Sequence, residues 1–172
     1  MEKFTRLTGV AAPLPMIRLK RRAGICITVL ADISCCRRVM TVPFLIRELC
    51  RDDAANLVAA LALHDAAHAL EVAWLEGYPL PRLWCSTADI AASPLNILAG
   101  YDEQDQLCAL LACGRADDGS LDIVRTLVAP ARLGEGWAGR LLTAALAGET
   151  AATVSSAQAN RAALRCYHKA GF

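Results

Sequence analysis

The sequence predicts an α/β domain, a mixed sheet flanked by helices, and three observations carry that expectation. Residues 120–172 read as strand, glycine-rich turn, helix, short strand and helix. Residues 53–77 are rich in Ala and Leu at helical spacing. Between these stretches two apolar runs flank a polar turn, as the arms of an antiparallel hairpin do. Helices and strands mixed in this way, around one core, define a layered α/β architecture.

At 172 residues the chain holds one domain with length enough for a core. A content of 55% apolar and 20% charged residues belongs to a globular protein and excludes a disordered one. The net charge of +1 hides an uneven distribution. Residues 1–39 carry Lys3, Arg6, Arg18, Lys20, Arg21, Arg22, Arg37 and Arg38 against only Glu2 and Asp32, so the remainder is acidic. This shift divides the chain at Met40: 1–39 is read as a basic N-terminal extension of undefined structure, 40–172 as the domain. Residues 1–15, from Met1-Glu-Lys-Phe to Pro15, resemble the N-terminus of the small subunit of 3-isopropylmalate dehydratase. The Asn-Val-Asp-Thr-Asp stretch that continues that family is missing, so its activity is not carried over.

A secretion signal over 16–36 is the rival reading of the extension. Its apolar run, 23–31, is followed at once by Asp32 and by no small-x-small cleavage site. The run is also too short to span a bilayer. Lys20, Arg21 and Arg22 are the longest contiguous basic cluster, which reads as a solvated patch and not as a nucleic-acid or membrane surface. The eight cysteines show neither CxxC spacing nor a disulfide framework, which points to a reducing, cytoplasmic setting. Cys108 and Cys113 fall in an apolar strand and are expected to be buried thiols.

From Pro43 onward the elements follow in order. Residues 44–50 make a first strand, and Arg51-Asp-Asp53 supplies a turn and a helix cap. Residues 53–77 are then helical, stopped by Gly77 and the pair Pro79 and Pro81. His64 and His68 lie on one helical face at metal-ligand spacing, but Asp65 stands where a zinc protease has Glu and no third ligand is evident, so no metal is expected. Trp74 and Trp84 are read as core or rim. Residues 95–100 and 107–114 form the hairpin, and Asp117-Asp-Gly119 turns into a strand over 120–129 that Pro130 ends.

Leu133-Gly-Glu-Gly-Trp-Ala138 opens the next helix. A glycine-rich turn at a helix start leaves backbone N–H groups free beside the positive end of the helix dipole, which suits a phosphate. Gly134-x-Gly136-x-x-Gly139 also spells a dinucleotide fingerprint, but a Pro-containing linker separates it from its strand and too little chain follows.

Two motifs in order resemble the GNAT family of N-acetyltransferases. Val128-Ala-Pro130 followed by Leu133-Gly-Glu-Gly136-Trp-Ala138 is similar to its first signature, with Leu133 where the family prefers Gln or Arg and Arg132 one place earlier. Asn160, Ala163, Tyr167 and then Lys169-Ala-Gly171-Phe172 resemble its second. The resemblance spans about residues 40–172 and implies a GNAT-like mixed sheet, two early helices within 53–77, acetyl-CoA as co-substrate and acetyl transfer to an amine. It implies that Leu127, Val128, Leu133, Gly134, Glu135, Gly136, Trp137, Ala138 and Asn160 bind the cofactor. Tyr167 matches the general acid, with core packing as its alternative. Asp122 matches a strand position that carries a Glu in some members, with an ordinary strand carboxylate as its alternative. The acceptor, a small-molecule or peptide amine, is not specified, and a degenerate module that binds CoA without turnover is the alternative function. The family's sheet continues beyond Gly-Phe, so the strand at 151–156 is expected to have an open edge and the chain to self-associate.

Overall fold

A computed structural model describes residues 15–22, 44–76, 78 and 80–172 of the protein. The likeness of the first residues to the dehydratase, the 23–31 apolar run, Cys26, Cys35, Cys36 and the boundary at Met40 lie outside the described residues. Among the described residues, six strands form one sheet in the order β1-β6-β5-β4-β3-β2. They are β1 (Met16–Arg22), β2 (Leu45–Glu48), β3 (Asn96–Tyr101), β4 (Leu107–Arg115), β5 (Leu121–Val128) and β6 (Ala151–Ala157). Every neighbouring pair is antiparallel except β5 with β6.

One face of the sheet carries α1 (Ala54–Trp74) and α2 (Thr87–Ala91). The other carries α3 (Trp137–Ala145) and α4 (Arg161–Lys169). β4 is apolar without alternation because it is buried from both sides. Leu110 and Ala112 join the core under α1, while Leu111 and Cys113 join the core under α3 and α4.

Asp53 caps α1 by accepting from the Ala55 N–H at 2.8 Å. The family resemblance implies two helices within 53–77, but the structure has one helix of 21 residues. No Gly or Pro interrupts it between Ala54 and Trp74, so nothing ends the helix sooner. By length and composition alone α1 would pass as a membrane span. It lies instead along β4 and β5, with Ala60 and Leu63 in the core and alanines toward solvent. The second helix comes later, where Ser86 and Asp89 close a capping box at the start of α2.

The largest departure from the sequence reading concerns Met16–Arg22. Assigned there to an extension ahead of the domain, it is a sheet strand paired along its whole length with β6, from Met16 opposite Ala157 to Arg22 opposite Ala151. The expected open edge at 151–156 is therefore occupied. Ile17, Leu19 and Arg21 are half-buried, and Leu19 packs onto the α3–α4 core. Met16, Arg18, Lys20 and Arg22 point outward, and charged residues on an outer strand discourage further pairing.

Trp137 anchors the α3 side. It is fully buried, meets the Phe44 ring edge-on at 4.2 Å between centroids, and lies over Gly100. A Cβ at Gly100 would fall 3.0 Å from the indole, which is itself fully buried. Gly100→Ala should therefore destabilise the fold by about 1–3 kcal/mol, read as a lower midpoint in chemical denaturation; an unchanged midpoint would mean Trp137 is loosely held. Removal of residues 1–22 should bare β6, lower the melting temperature and produce concentration-dependent association in light scattering. An unaltered, monodisperse melt would contradict the pairing of β1.

Candidate functional site

The site forms where β5 and β6 part. They pair in parallel only over Leu121–Ile123 and Ala152–Val154. Beyond that, β5 gains a residue: Ala112 on β4 faces Arg125 and Cys113 faces Ile123, so Val124 is a bulge. Bulges bend and twist a strand. β5 then follows β4 as far as Val128 opposite Ala109, while β6 follows β1 as far as Ala157 opposite Met16. Between the diverging ends lies a cleft of about 810 Å³.

The glycine-rich turn forms one wall. Gly134 and Gly136 have φ of 84° and 89°, a conformation costly for any residue with a Cβ, and a Cβ built there would meet nothing within 4 Å. Backbone conformation, not crowding, calls for glycine here, and the space in front of the turn is open. α3 starts at this point without a side-chain cap. Its first N–H groups and the positive end of its dipole are thus available to an anion. Arg165 and Lys169 of α4 also line the cleft and add positive charge. Arg132 lines it too, but is ion-paired to the buried Asp102 and lies 3.8 Å from Glu135.

Leu127, Val128, Leu133, Gly134, Gly136, Trp137, Ala138, Asn160 and Tyr167 all line this one cleft. Glu135 does not; its carboxylate accepts from Trp137 Nε1 at 3.1 Å, and the Trp137 indole itself belongs to the core. Ala129 donates its N–H to Cys108 on β4. Successive N–H groups of a strand point to opposite edges, so the Val128 N–H faces the opening that β6 leaves. Burial pushes the Tyr167 hydroxyl above its ordinary pKa, which keeps it protonated at neutral pH.

Asp122 lies elsewhere. It sits in the closed, paired part of β5, accepts from Thr153 Oγ1 at 2.8 Å, lies 3.9 Å from Arg18, and is not among the residues lining the cleft. Among the described residues, the carboxylate that does line it is Glu71 of α1, which sequence reasoning missed. Glu71 accepts from Asn160 Nδ2 at 2.9 Å and is 3.5 Å from Arg125. Asn160 accepts in turn from the Ala163 N–H as the cap of α4, so both ends of its side chain are engaged. Trp74, expected in core or rim, is half exposed on the cleft wall, whereas Trp84 is buried. Three residues after Glu71, Trp74 shares its helical face, a spacing visible in sequence once the helix is known to be continuous.

His64 is buried beside Trp84, with its Nδ1 3.0 Å from Asp65, and stacks on His68 at 5.9 Å. Among the described residues no three His, Cys, Asp or Glu side chains gather as a metal site.

No family profile matches the chain, and no curated protein matches its sequence. Solved structures do match it in fold. The PaiA N-acetyltransferase of Thermoplasma acidophilum, in complex with coenzyme A, superposes with a TM-score of 0.62 at 14% identity, over 74% of this chain and 88% of its own. The BH1408 protein of Bacillus halodurans, as a tetramutant, gives 0.57 at 18% identity over 74% and 92%. The ribosomal-protein-S18-alanine N-acetyltransferase of Escherichia coli gives 0.53 at 17% over 75% and 77%. The chain has the GNAT acetyltransferase fold.

Burial, then the nearby His64, Arg125 and Arg82, hold His68 below the ordinary imidazole pKa. The folded state binds this proton more weakly than the unfolded state, so the protein loses stability as pH falls through about 6.5. His68→Asn should flatten the fall in melting temperature between pH 7 and 5; an identical slope in both proteins would remove His68 from the acid response.

Proposed function

We propose that the protein is an acetyl-CoA-dependent N-acetyltransferase acting on a primary amine. The observation that carries this reading is the parting of β5 and β6, which brings an uncapped helix start, a free strand N–H and a protonated tyrosine into one cleft. The residues present fit such a co-substrate: the open space before Gly134 and Gly136 admits phosphate oxygens, and Arg165 and Lys169 offset their charge. Acetyl-CoA would supply an activated acetyl thioester. The Val128 N–H polarises a carbonyl lodged at the opening, as a fixed backbone donor does in acyl transfer. Tyr167 keeps its proton at neutral pH and holds it ready for a departing thiolate. Asn160 fixes the start of α4 and so the place of Tyr167 seven residues on. A dinucleotide is the poorer fit: the strand after α3 is β6, whose seven residues Ala-Ala-Thr-Val-Ser-Ser-Ala carry no acid for a ribose.

Gly136→Asp would force a side chain onto a left-handed backbone and put a negative charge before the helix start. Calorimetric titration should show CoA affinity falling by more than the ~1.4 kcal/mol of one tenfold step, and equal affinity would take the turn out of the site. Tyr167→Phe should lower turnover by roughly 10²–10⁴-fold with CoA affinity kept. Normal turnover in that variant would make Tyr167 a packing residue.

A further inference from the structure

The cleft has two walls of different chemistry. The wall made by the 133–139 turn and α4 carries the α3 start and the cations Arg165 and Lys169, with the exposed Leu133 among them. The other is made by Leu70 and Trp74 of α1, Leu80 after it, Val124 at the β5 bulge and Met16 at the start of β1. Of these, Met16 is 59% exposed, Trp74 49% and Val124 38%, so large apolar side chains face open space instead of the core. Exposed apolar groups gathered in a concave site mark a place where an apolar ligand is buried.

One carboxylate belongs to this wall. Glu71 lies one helical turn from Trp74 and is about one-fifth exposed. Its position relative to Tyr167 follows from β5. Arg125 and Thr126 are successive residues of an extended strand and project to opposite faces of the sheet. Arg125 reaches toward Glu71, and Thr126 Oγ1, buried without a hydrogen bond of normal geometry, stands near enough to the Tyr167 hydroxyl to offset part of its pKa rise. Glu71 and Tyr167 therefore stand on opposite faces of the opening between β5 and β6, and both line the cleft. Acyl transfer to an amine removes a proton from the nucleophile and delivers one to the leaving group, two atoms that lie on different sides of the carbonyl.

We propose that the acceptor is a primary amine on an apolar or aromatic body, seated against Trp74, Leu70, Leu80, Val124 and Met16 with its ammonium at Glu71. This deepens the acetyltransferase reading and rests on it. Glu71 takes one proton from the ammonium, and the amine nitrogen then bonds to the acetyl carbonyl carbon. The carbon–sulfur bond breaks with its electron pair leaving on sulfur, and the thiolate takes the Tyr167 proton. The second proton of the nitrogen passes to solvent, solvent reprotonates Tyr167, and Glu71 gives up its proton to solvent, so one proton is released per turnover. Asp122, held by Thr153 away from the cleft, takes no part.

The test uses the full chain with acetyl-CoA and follows thiol release with four amines: 2-phenylethylamine, hexylamine, spermidine and glucosamine. The two apolar amines should exceed the two polar ones in kcat/KM by roughly tenfold to a hundredfold. Trp74→Ala, at an exposed position, should raise KM for 2-phenylethylamine with kcat little changed. Glu71→Gln keeps an acceptor for Asn160 and should lower kcat/KM by roughly a hundredfold at pH 7. That deficit should narrow as pH approaches the pKa of the amine, which a merely structural role of Glu71 would not produce. Equal or better use of spermidine or glucosamine, or a pH-independent effect of Glu71→Gln, overturns the proposal while leaving the acetyltransferase reading intact. Thiol release with none of the four, despite CoA binding in calorimetry, removes both.

Discussion

Three residue pairs hold the site together. Leu121, Ile123 and the Asp122 between them face Ala152, Val154 and Thr153 in the sheet's one parallel stretch, and there the contact between β5 and β6 ends. Were the two strands paired to their tips, backbone would fill the cleft and the Val128 N–H would be used up in the ladder. The parting is stable because each strand has another partner: β4 holds β5 through the bulge, and β1 holds β6 to its last residue. Unpaired strand edges carry unsatisfied polar groups, so a gap in the middle of a sheet persists only where the outer flanks are complete. β1 is thus as much a part of the site as the glycine turn, although it contributes only Met16 to the lining.

The gap also sorts charge. On the α3–α4 side the helix start, Arg165 and Lys169 present positive potential beside the buried, protonated Tyr167. On the α1 side Glu71 balances Arg125, whose guanidinium is also tied to the Pro81 carbonyl, and apolar side chains surround the pair. An anionic chain and a cationic nitrogen would each meet the complementary face, from opposite sides of one sheet. Asn160 links the two: it caps α4 on one side and reaches Glu71 on the other.

Much of this was legible in the sequence, for local reasons. The hairpin of β3 and β4, the strand β5 and the glycine turn all rest on short-range signals: apolar runs about a polar turn, alternation with a Pro stop, and glycines at a helix start; the cap that Asn160 makes on α4 came from the structure. The elements that were misread depend on long-range partners. Met16-Ile-Arg-Leu-Lys-Arg-Arg22 alternates with period two, but its basic residues were read as a patch because nothing local reveals that β6, some 130 residues later, lacks a neighbour. Asp122 and Glu71 show the same limit. A carboxylate on the motif-bearing strand looked poised for chemistry, yet the parallel register hands it to Thr153. Glu71, set in an alanine-rich run, gains its meaning only when α1 is laid across the strand ends.

The account stands or falls on whether the space between the parted strands is the binding site. Backbone hydrogen exchange on the full chain, with and without CoA, addresses this most directly. Slowed exchange is expected at the N–H groups of residues 134–139 and at Val128, with little change along β2, β3 and the far end of β4. Protection confined to other regions, or none at saturating CoA, would contradict it.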